Sequence, residues 1–189
     1  MPLHVDSDEE VFHGKYIRVV KRHFRDMNSQ PGVWETVYRK THGPIVAVVA
    51  VTPQHEVILN RIWRVPLGRY TIEFPAGLMD KAGEAPEVCA ARELLEETGY
   101  ATDGLTRIMA GVFNAGLTPD ELWVYLGLNA QHVAAPQQES TEDIEVLRIP
   151  IKDLMAFLAA PGDNVAVDLK LYGIIPFLQL HVPQAYGRG

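Results

Sequence analysis

Residues 45–51 read Ile-Val-Ala-Val-Val-Ala-Val, an unbroken apolar run rich in valine. It is far too short to cross a membrane, and its β-branched side chains suit a strand. A strand that alternates apolar and polar residues can leave one face to water; this one offers no polar face and must be covered on both. That requirement constrains the fold more than any other feature, because it demands packed layers on either side of a central strand. At 189 residues and 47% hydrophobic content, the chain has material for one such core plus a small appended element.

The rest of the chain supplies those layers. A turn at residues 53–55 leads to a second strand at residues 57–60. Upstream, Gly14 and the cluster Asn28, Ser29, Gln30, Pro31, Gly32 break the first forty residues into short strands, with alternation over residues 16–20 and 33–38. These predict a small antiparallel element. Downstream, residues 74–77 read as a loop, and residues 86–98 as a helix with Pro86 in its first turn and Gly99 at its end. Strands are predicted at residues 105–112, 122–128 and 144–149. Helices are predicted at residues 151–160, stopped by Pro161 and Gly162, and at residues 165–180 with Asp163 or Asn164 as cap. Strands and helices joined by short connections indicate a mixed α/β sandwich rather than a doubly wound parallel sheet. The expected organisation is an N-terminal β element over residues 1–42 and the main α/β domain over residues 43–189.

Charge and chemistry narrow the function classes. A net charge of −7 argues against a sequence-independent grip on nucleic acid, which needs a basic surface. Cys89 is the only cysteine, so neither an internal disulfide nor a cysteine-based zinc site can form, and the seven histidines show no paired metal spacing. Residues 1–10 are polar and acidic where a secretory signal would need a basic start and an apolar run, so a soluble cytoplasmic protein is expected. Any metal would have to be a hard one.

The helix at residues 86–98 carries the chemistry. At about 100° per residue, Glu93, Glu96 and Glu97 fall within one arc, while Val88, Ala91 and Leu95 gather opposite and are expected to face the core. Like charges at these spacings repel by about 0.2–0.5 kcal/mol per pair, and Glu96 and Glu97 sit where the helix dipole already disfavours anions. Stability alone does not place them there. A divalent cation reverses the sign of both effects, and carboxylate oxygens are the ligands a hard ion such as Mg²⁺ prefers. Arg92 could hold a glutamate in place through its guanidinium fork, with Glu84 just ahead of the helix.

Taken together, Gly77, Glu84, Arg92, Glu93, Leu94, Glu96, Glu97, Gly99 and Tyr100 resemble the signature of the Nudix hydrolases, a loop-helix-loop pattern. From Glu84 onward every defined position agrees. Six residues separate Gly77 from Glu84, one more than in the family pattern, so residues 78–83 hold an insertion. Arg64, Gly68 and the run Glu73, Phe74, Pro75, Ala76, Gly77 are similar to the subgroup containing ADP-ribose pyrophosphatases and nucleoside diphosphate sugar hydrolases. The resemblance implies a Nudix-type α/β/α sandwich with a mixed sheet. It also implies metal ligation by the Ala76 carbonyl, by Glu93 and Glu97, and by Glu96 directly or through water. A late acidic loop, residues 139–145, resembles the one that brings a glutamate over the metals in the family; Glu142 is the first choice for the base, with Glu139 or Glu96 as alternatives.

On this reading two or three Mg²⁺ ions, with Mn²⁺ as a possible substitute, neutralise the diphosphate while water attacks phosphorus in line. Arg64 is the leading candidate to meet a phosphate, since its fork matches phosphate oxygens; Arg61 and Arg69 are further candidates. The resemblance implies a substrate-side role for Glu73, and Leu117, Thr118 and Pro119 resemble a substrate-side loop of the subgroup, with a simple connection as the alternative. Trp34 could stack on a nucleobase or simply pack beside its Pro-Gly turn. The N-terminal strands have little apolar material of their own, which predicts a homodimer whose sites are completed across the interface, as in relatives. ADP-ribose leads the substrate candidates. GDP-mannose or a UDP-sugar is the alternative within the enzyme class, and a non-catalytic nucleotide-sugar-binding regulatory module on the same scaffold is the alternative outside it.

Overall fold

A computed structural model describes residues 3–186 of the chain. The outermost positions of the two expected segments, residues 1–2 and 187–189, lie outside them. Strands β1 (His4–His13), β2 (Ile17–Arg25) and β3 (Pro31–Arg39) form an antiparallel three-stranded sheet, turning at Gly14 and over residues 26–30, while Pro31 and Gly32 of the expected turn cluster already pair in β3. Next come β4 (Ile45–Ala50), β5 (Glu56–Arg64), β6 (Arg69–Glu73) and β7 (Ala76–Leu78), then helix α1 (Pro86–Thr98). The chain continues through β8 (Tyr100–Ala101), β9 (Leu105–Val112), β10 (Glu121–Gly127), β11 (Gln131–His132), β12 (Ile144–Pro150), α2 (Leu154–Ala159), β13 (Val165–Val167) and α3 (Lys170–His181).

Two mixed four-stranded sheets form the body, ordered β7-β4-β10-β9 and β12-β5-β6-β13, and the Val51↔Val57 bridge joins β4 to β5. The apolar run is buried on both faces, as its composition requires. Val46, Val48 and Ala50 pack with Cys89, Ala90 and Leu94 of α1, while Ala47, Val49 and Val51 pack into a second core with α2 and α3. At about 25 cal/mol per Å² of apolar surface, each fully buried valine stabilises by roughly 1.5–3 kcal/mol, so this one strand anchors both layers.

Four expectations change. Residues 165–167 are a strand, not the start of the last helix: they pair in parallel with β6, and α3 begins only at Lys170, whose N–H donates to Asp168 Oδ1 at 3.0 Å. Neither Asp163 nor Asn164 caps it. β6 was not foreseen, because a five-residue strand with charged ends carries little periodic signal. The expected loop at residues 74–77 ends two residues early, since Ala76–Leu78 pairs with β4. Finally, Val88 (55% exposed) and Leu95 (37% exposed) face solvent, and α1 buries Cys89, Ala90, Leu94, Glu97 and Thr98 instead. The inward face of the helix includes Glu97, for which neighbouring strands provide hydrogen-bond donors, with Glu93 beside it and Glu96 at the edge.

Candidate active site

Pro86 fixes φ in the first turn of α1, and Gly99 ends it at φ +74, a left-handed conformation in which its N–H donates to Leu95 O at 2.8 Å. A side chain at Gly99 would meet the Ala134 carbonyl oxygen at 2.1 Å, so the chain passes close beneath the following loop. At the other end of the motif, a Cβ on Gly77 would lie 2.0 Å from the Glu93 carboxyl carbon. The absence of a side chain at Gly77 lets Glu93 lie directly against β7, and a Cβ there would displace its carboxylate.

Arg92 organises the acidic face. Its Nε and Nη2 donate to the two oxygens of Glu84 at 2.9 and 3.0 Å, and Nη1 is shared between Glu93 and Glu96 at 2.8 Å each. The fork holds Glu84 well below the usual carboxylate range. The extra residue ahead of Glu84 is absorbed in the turn around Gly83 (φ +80), where Glu84 N–H donates to Lys81 O. Both ends of the motif therefore keep their partners. Cys89 is buried, and desolvation pushes its thiol up to about 12, which makes it a packing residue.

Glu97 is 5% exposed. Its Oε2 accepts from Asn60 Nδ2 at 2.8 Å and from the Ala76 N–H at 3.1 Å. Desolvation raises its pKa to about 8; the Ala76 hydrogen bond works against this, while the charges of Glu93 and Glu142 add to it. Glu93 is also raised by burial, with Arg92 opposing. A buried Glu97 with no ion pair among the described residues, beside a half-buried Glu93 that shares one guanidinium with Glu84 and Glu96, is a poor arrangement for the protein alone and a suitable one for a cation. The donor set, three carboxylates with the Ala76 carbonyl nearby, consists of hard oxygens, which fits a divalent ion. As the side chains stand, no three acidic groups among the described residues converge enough to enclose an ion, because Glu93 and Glu96 lean on Arg92 and Glu97 on Asn60.

A groove of about 720 Å³ opens over this face. Glu93, Glu96, Glu97, Glu139 and Glu142 line one part of it, Arg39, Lys40 and Arg64 another. The late loop is docked on the end of α1: Gln137 N–H donates to Glu96 O at 2.7 Å, and Gln138 Nε2 bridges Glu97 O and Ile144 O at 3.1 Å each. Within it, Glu139 N–H donates to Glu142 Oε2 at 2.9 Å. A second cavity of about 380 Å³ shares Arg39, Arg64, Ala76 and Gly77 with the first and has a more apolar lining that includes Phe74, Phe113 and Leu122.

Other expected site residues divide. Arg64 faces both cavities, with its fork on the Glu73 carboxylate at 2.8 and 2.7 Å. Arg61 and Arg69 line neither cavity. Strand alternation turns Arg61 to the opposite face of β5, where it pairs with Glu145 and lies over the Tyr70 ring. Trp34 and Thr118 sit in a separate depression, away from the carboxylates of the same chain. Trp34 Nε1 donates to Gly116 O at 2.8 Å with the indole exposed, and Thr118 Oγ1 accepts from Asp120 N–H. Asn60, Arg39 and Gln138 were not foreseen; for Asn60 the available signal was an amide amid inward-facing isoleucines.

Comparison with known proteins agrees with this geometry. Residues 41–169 match the NUDIX domain family. The chain is 35% identical to a mouse (Mus musculus) protein named ADP-sugar pyrophosphatase, covering 89% of this chain and 84% of the relative. It is 33% identical to an ADP-ribose pyrophosphatase of Bacillus subtilis (strain 168), covering 92% and 91%. A solved structure titled as an ADP compounds hydrolase superposes with a TM-score of 0.80 at 21% identity, covering 100% of this chain and 98% of that one, a likeness of fold. With the glycine-to-glutamate loop, the arginine-centred acidic helix and the sandwich in place, this chain belongs to the Nudix family of hydrolases.

Proposed function

We propose that the chain hydrolyses the diphosphate of ADP-ribose or a closely related nucleoside diphosphate sugar, using Mg²⁺, as a cytoplasmic homodimer built from an N-terminal β element (residues 1–42) and a catalytic domain (residues 43–189). One observation carries the reading: a single groove sets a carboxylate wall against Arg39, Lys40 and Arg64, in a chain whose relatives include pyrophosphatases named for ADP-linked sugars. Cations held by those carboxylates would supply the positive charge that lets a diphosphate lie beside them.

Glu93 and Glu97 with the Ala76 carbonyl would hold Mg²⁺, and Glu96 would join directly or through water once released from Arg92. A cation held there supplies positive charge against the diphosphate and acidifies nearby water. Arg64, oriented by its fork on Glu73, faces a phosphate across the groove. Glu142 Oε1 has no hydrogen-bond partner among the described residues while the Glu139 N–H steadies Oε2, and Glu142 accepts the proton of the attacking water, an effect worth about 10²- to 10⁴-fold. Glu139 is the second choice. The new bond joins the water oxygen to phosphorus, the bridging P–O bond breaks, and AMP and ribose 5-phosphate leave.

The dimer reading rests on the N-terminal sheet. Strand β1 is exposed along its whole length, with Val5, Val11 and Phe12 uncovered. A partner covering that sheet would give Trp34 a groove to complete, so stacking on a base would occur across the interface. The test is AMP or phosphomonoester release with and without Mg²⁺ for ADP-ribose, GDP-mannose, UDP-glucose, NADH and diadenosine polyphosphates, compared by kcat/KM. ADP-ribose is expected to rank first; release from none of them would refute the reading.

A further inference from the structure

We propose that Asn60 is a positioning residue for this reaction: its side-chain amide, reaching from β5, fixes the Glu97 carboxylate through one oxygen and leaves the other for the groove. The inference rests on the reading of Glu97 as a cation ligand.

Asn60 is poorly explained by packing. It is 2% exposed and shares its strand face with Ile58 and Ile62, where an apolar side chain would fit the surroundings. Asparagine is disfavoured in strands, and the buried Oδ1 finds no hydrogen-bond donor among the described residues. An unsatisfied buried acceptor is destabilising. The same amide makes one specific contact, Nδ2 to Glu97 Oε2 at 2.8 Å. The Ala76 N–H reaches that oxygen too, at 3.1 Å, so donors from β5 and β7 converge on it from two separate strands. Two fixed donors on one oxygen set the plane of the carboxylate before anything binds. Oε1 accepts no hydrogen bond from the described residues, and Glu97 lines the groove.

The choice of an amide is itself informative. Glu93 and Glu96 share one Arg92 Nη1, whose positive charge offsets part of theirs and must be displaced before a cation can use them fully. A lysine or arginine at position 60 would do the same to Glu97. An aspartate would repel it. Asparagine orients the carboxylate while leaving its charge available, which is the service that groups behind a metal ligand provide.

The test compares the full-length protein with Asn60→Leu, which keeps the branching and the number of heavy atoms, removes the donor and adds some bulk. Mn²⁺ affinity is read by electron paramagnetic resonance, Mg²⁺ half-saturation and kcat by turnover of ADP-ribose, and Tm in EDTA by calorimetry. Expected are a Tm equal to or above that of the parent and a loss of about 10- to 100-fold in Mn²⁺ affinity and in Mg²⁺ half-saturation. KM for the nucleotide sugar at saturating Mg²⁺ should be little changed. Parental metal affinity in the variant overturns the proposal, and so does a lowered Tm with unchanged metal dependence, the mark of a purely structural residue. If Asn60→Leu does not fold, Asn60→Ser, too short to reach Glu97, is judged by the same criteria. Glu97→Gln is measured in parallel. Full metal-dependent activity in that variant sinks the underlying reading, whereas its inactivity beside a parent-like Asn60→Leu sinks only the role of Asn60.

Discussion

Replacing Glu97 by Gln should make the metal-free protein more stable and the metal-loaded protein inactive. Gln keeps an oxygen that can accept from Asn60 Nδ2 and the Ala76 N–H, so the local hydrogen bonds survive. What changes is the titration. Burial raises the Glu97 pKa from 4.5 to about 8. Because the folded value lies above the unfolded one, the folded protein retains a proton that the unfolded chain has released. The resulting penalty is absent below pH 4.5, grows as pH rises and levels off above pH 8. Its slope is about 1.4 kcal/mol per pH unit, giving roughly 3 kcal/mol at pH 7 and about 1 kcal/mol at pH 5.5. For a chain of this size 1 kcal/mol moves Tm by about 2–4 °C, so Glu97→Gln should melt roughly 6–12 °C above the parent at pH 7 in EDTA and only a few degrees above it at pH 5.5. Added Mg²⁺ should raise the parent's Tm by mass action and leave the variant's almost unchanged. Melting curves at the two pH values, with EDTA and with Mg²⁺, measure all of this. A variant less stable than the parent in EDTA at pH 7, or a gap that does not shrink on acidification, would refute the argument from burial.

Gly77→Ala should fold with nearly parental Tm yet lose about 10-fold or more in kcat and in Mg²⁺ affinity, because the atom its Cβ displaces is the far end of Glu93 rather than backbone; calorimetry beside a Mg²⁺ titration checks both halves. Gly99→Ala should instead cost at least about 1–2 kcal/mol in urea unfolding, since a left-handed backbone and a contact with the Ala134 carbonyl are both at stake. Arg92→Lys keeps the charge but loses the fork on Glu84, and kcat/KM should fall by about 10- to 100-fold at constant protein concentration. Light scattering at micromolar concentration should give twice the chain mass of 21.1 kDa; a monomer would remove the case for a shared site.

Much of the site was legible because its signals are local. The spacing from Glu84 to Gly99 is read directly off the chain, and Pro86 and Gly99 bound the helix by their own backbone preferences. Arg64 and Glu73 were both candidates, though their mutual fork was not foreseen. Arg61 and Arg64 were both candidates, and because strand β5 runs on to Arg64, parity along it separates the two onto opposite faces. Residues 165–167 read as helix in the sequence because an apolar triplet beside a helical pattern gives no sign of its pairing with β6, a strand nearly one hundred residues earlier. Trp34 remained ambiguous for a similar reason, since what covers an indole in the N-terminal sheet is not written near it.

The sequence by itself determined that residues 45–51 lie between two layers, that three glutamates share an arc of one helix, and that the helix starts and stops where it does. These follow from periodicity and backbone preference, which fix angles within an element. Only the tertiary structure decided that the arc points inward beside Cys89, Ala90 and Leu94 while Val88 and Leu95 face water, and that Glu97 meets Asn60 and Ala76. A helical wheel gives directions relative to one another. The absolute direction depends on donors and apolar surface supplied by β4, β5 and β7, and those contacts exist only once distant segments have packed.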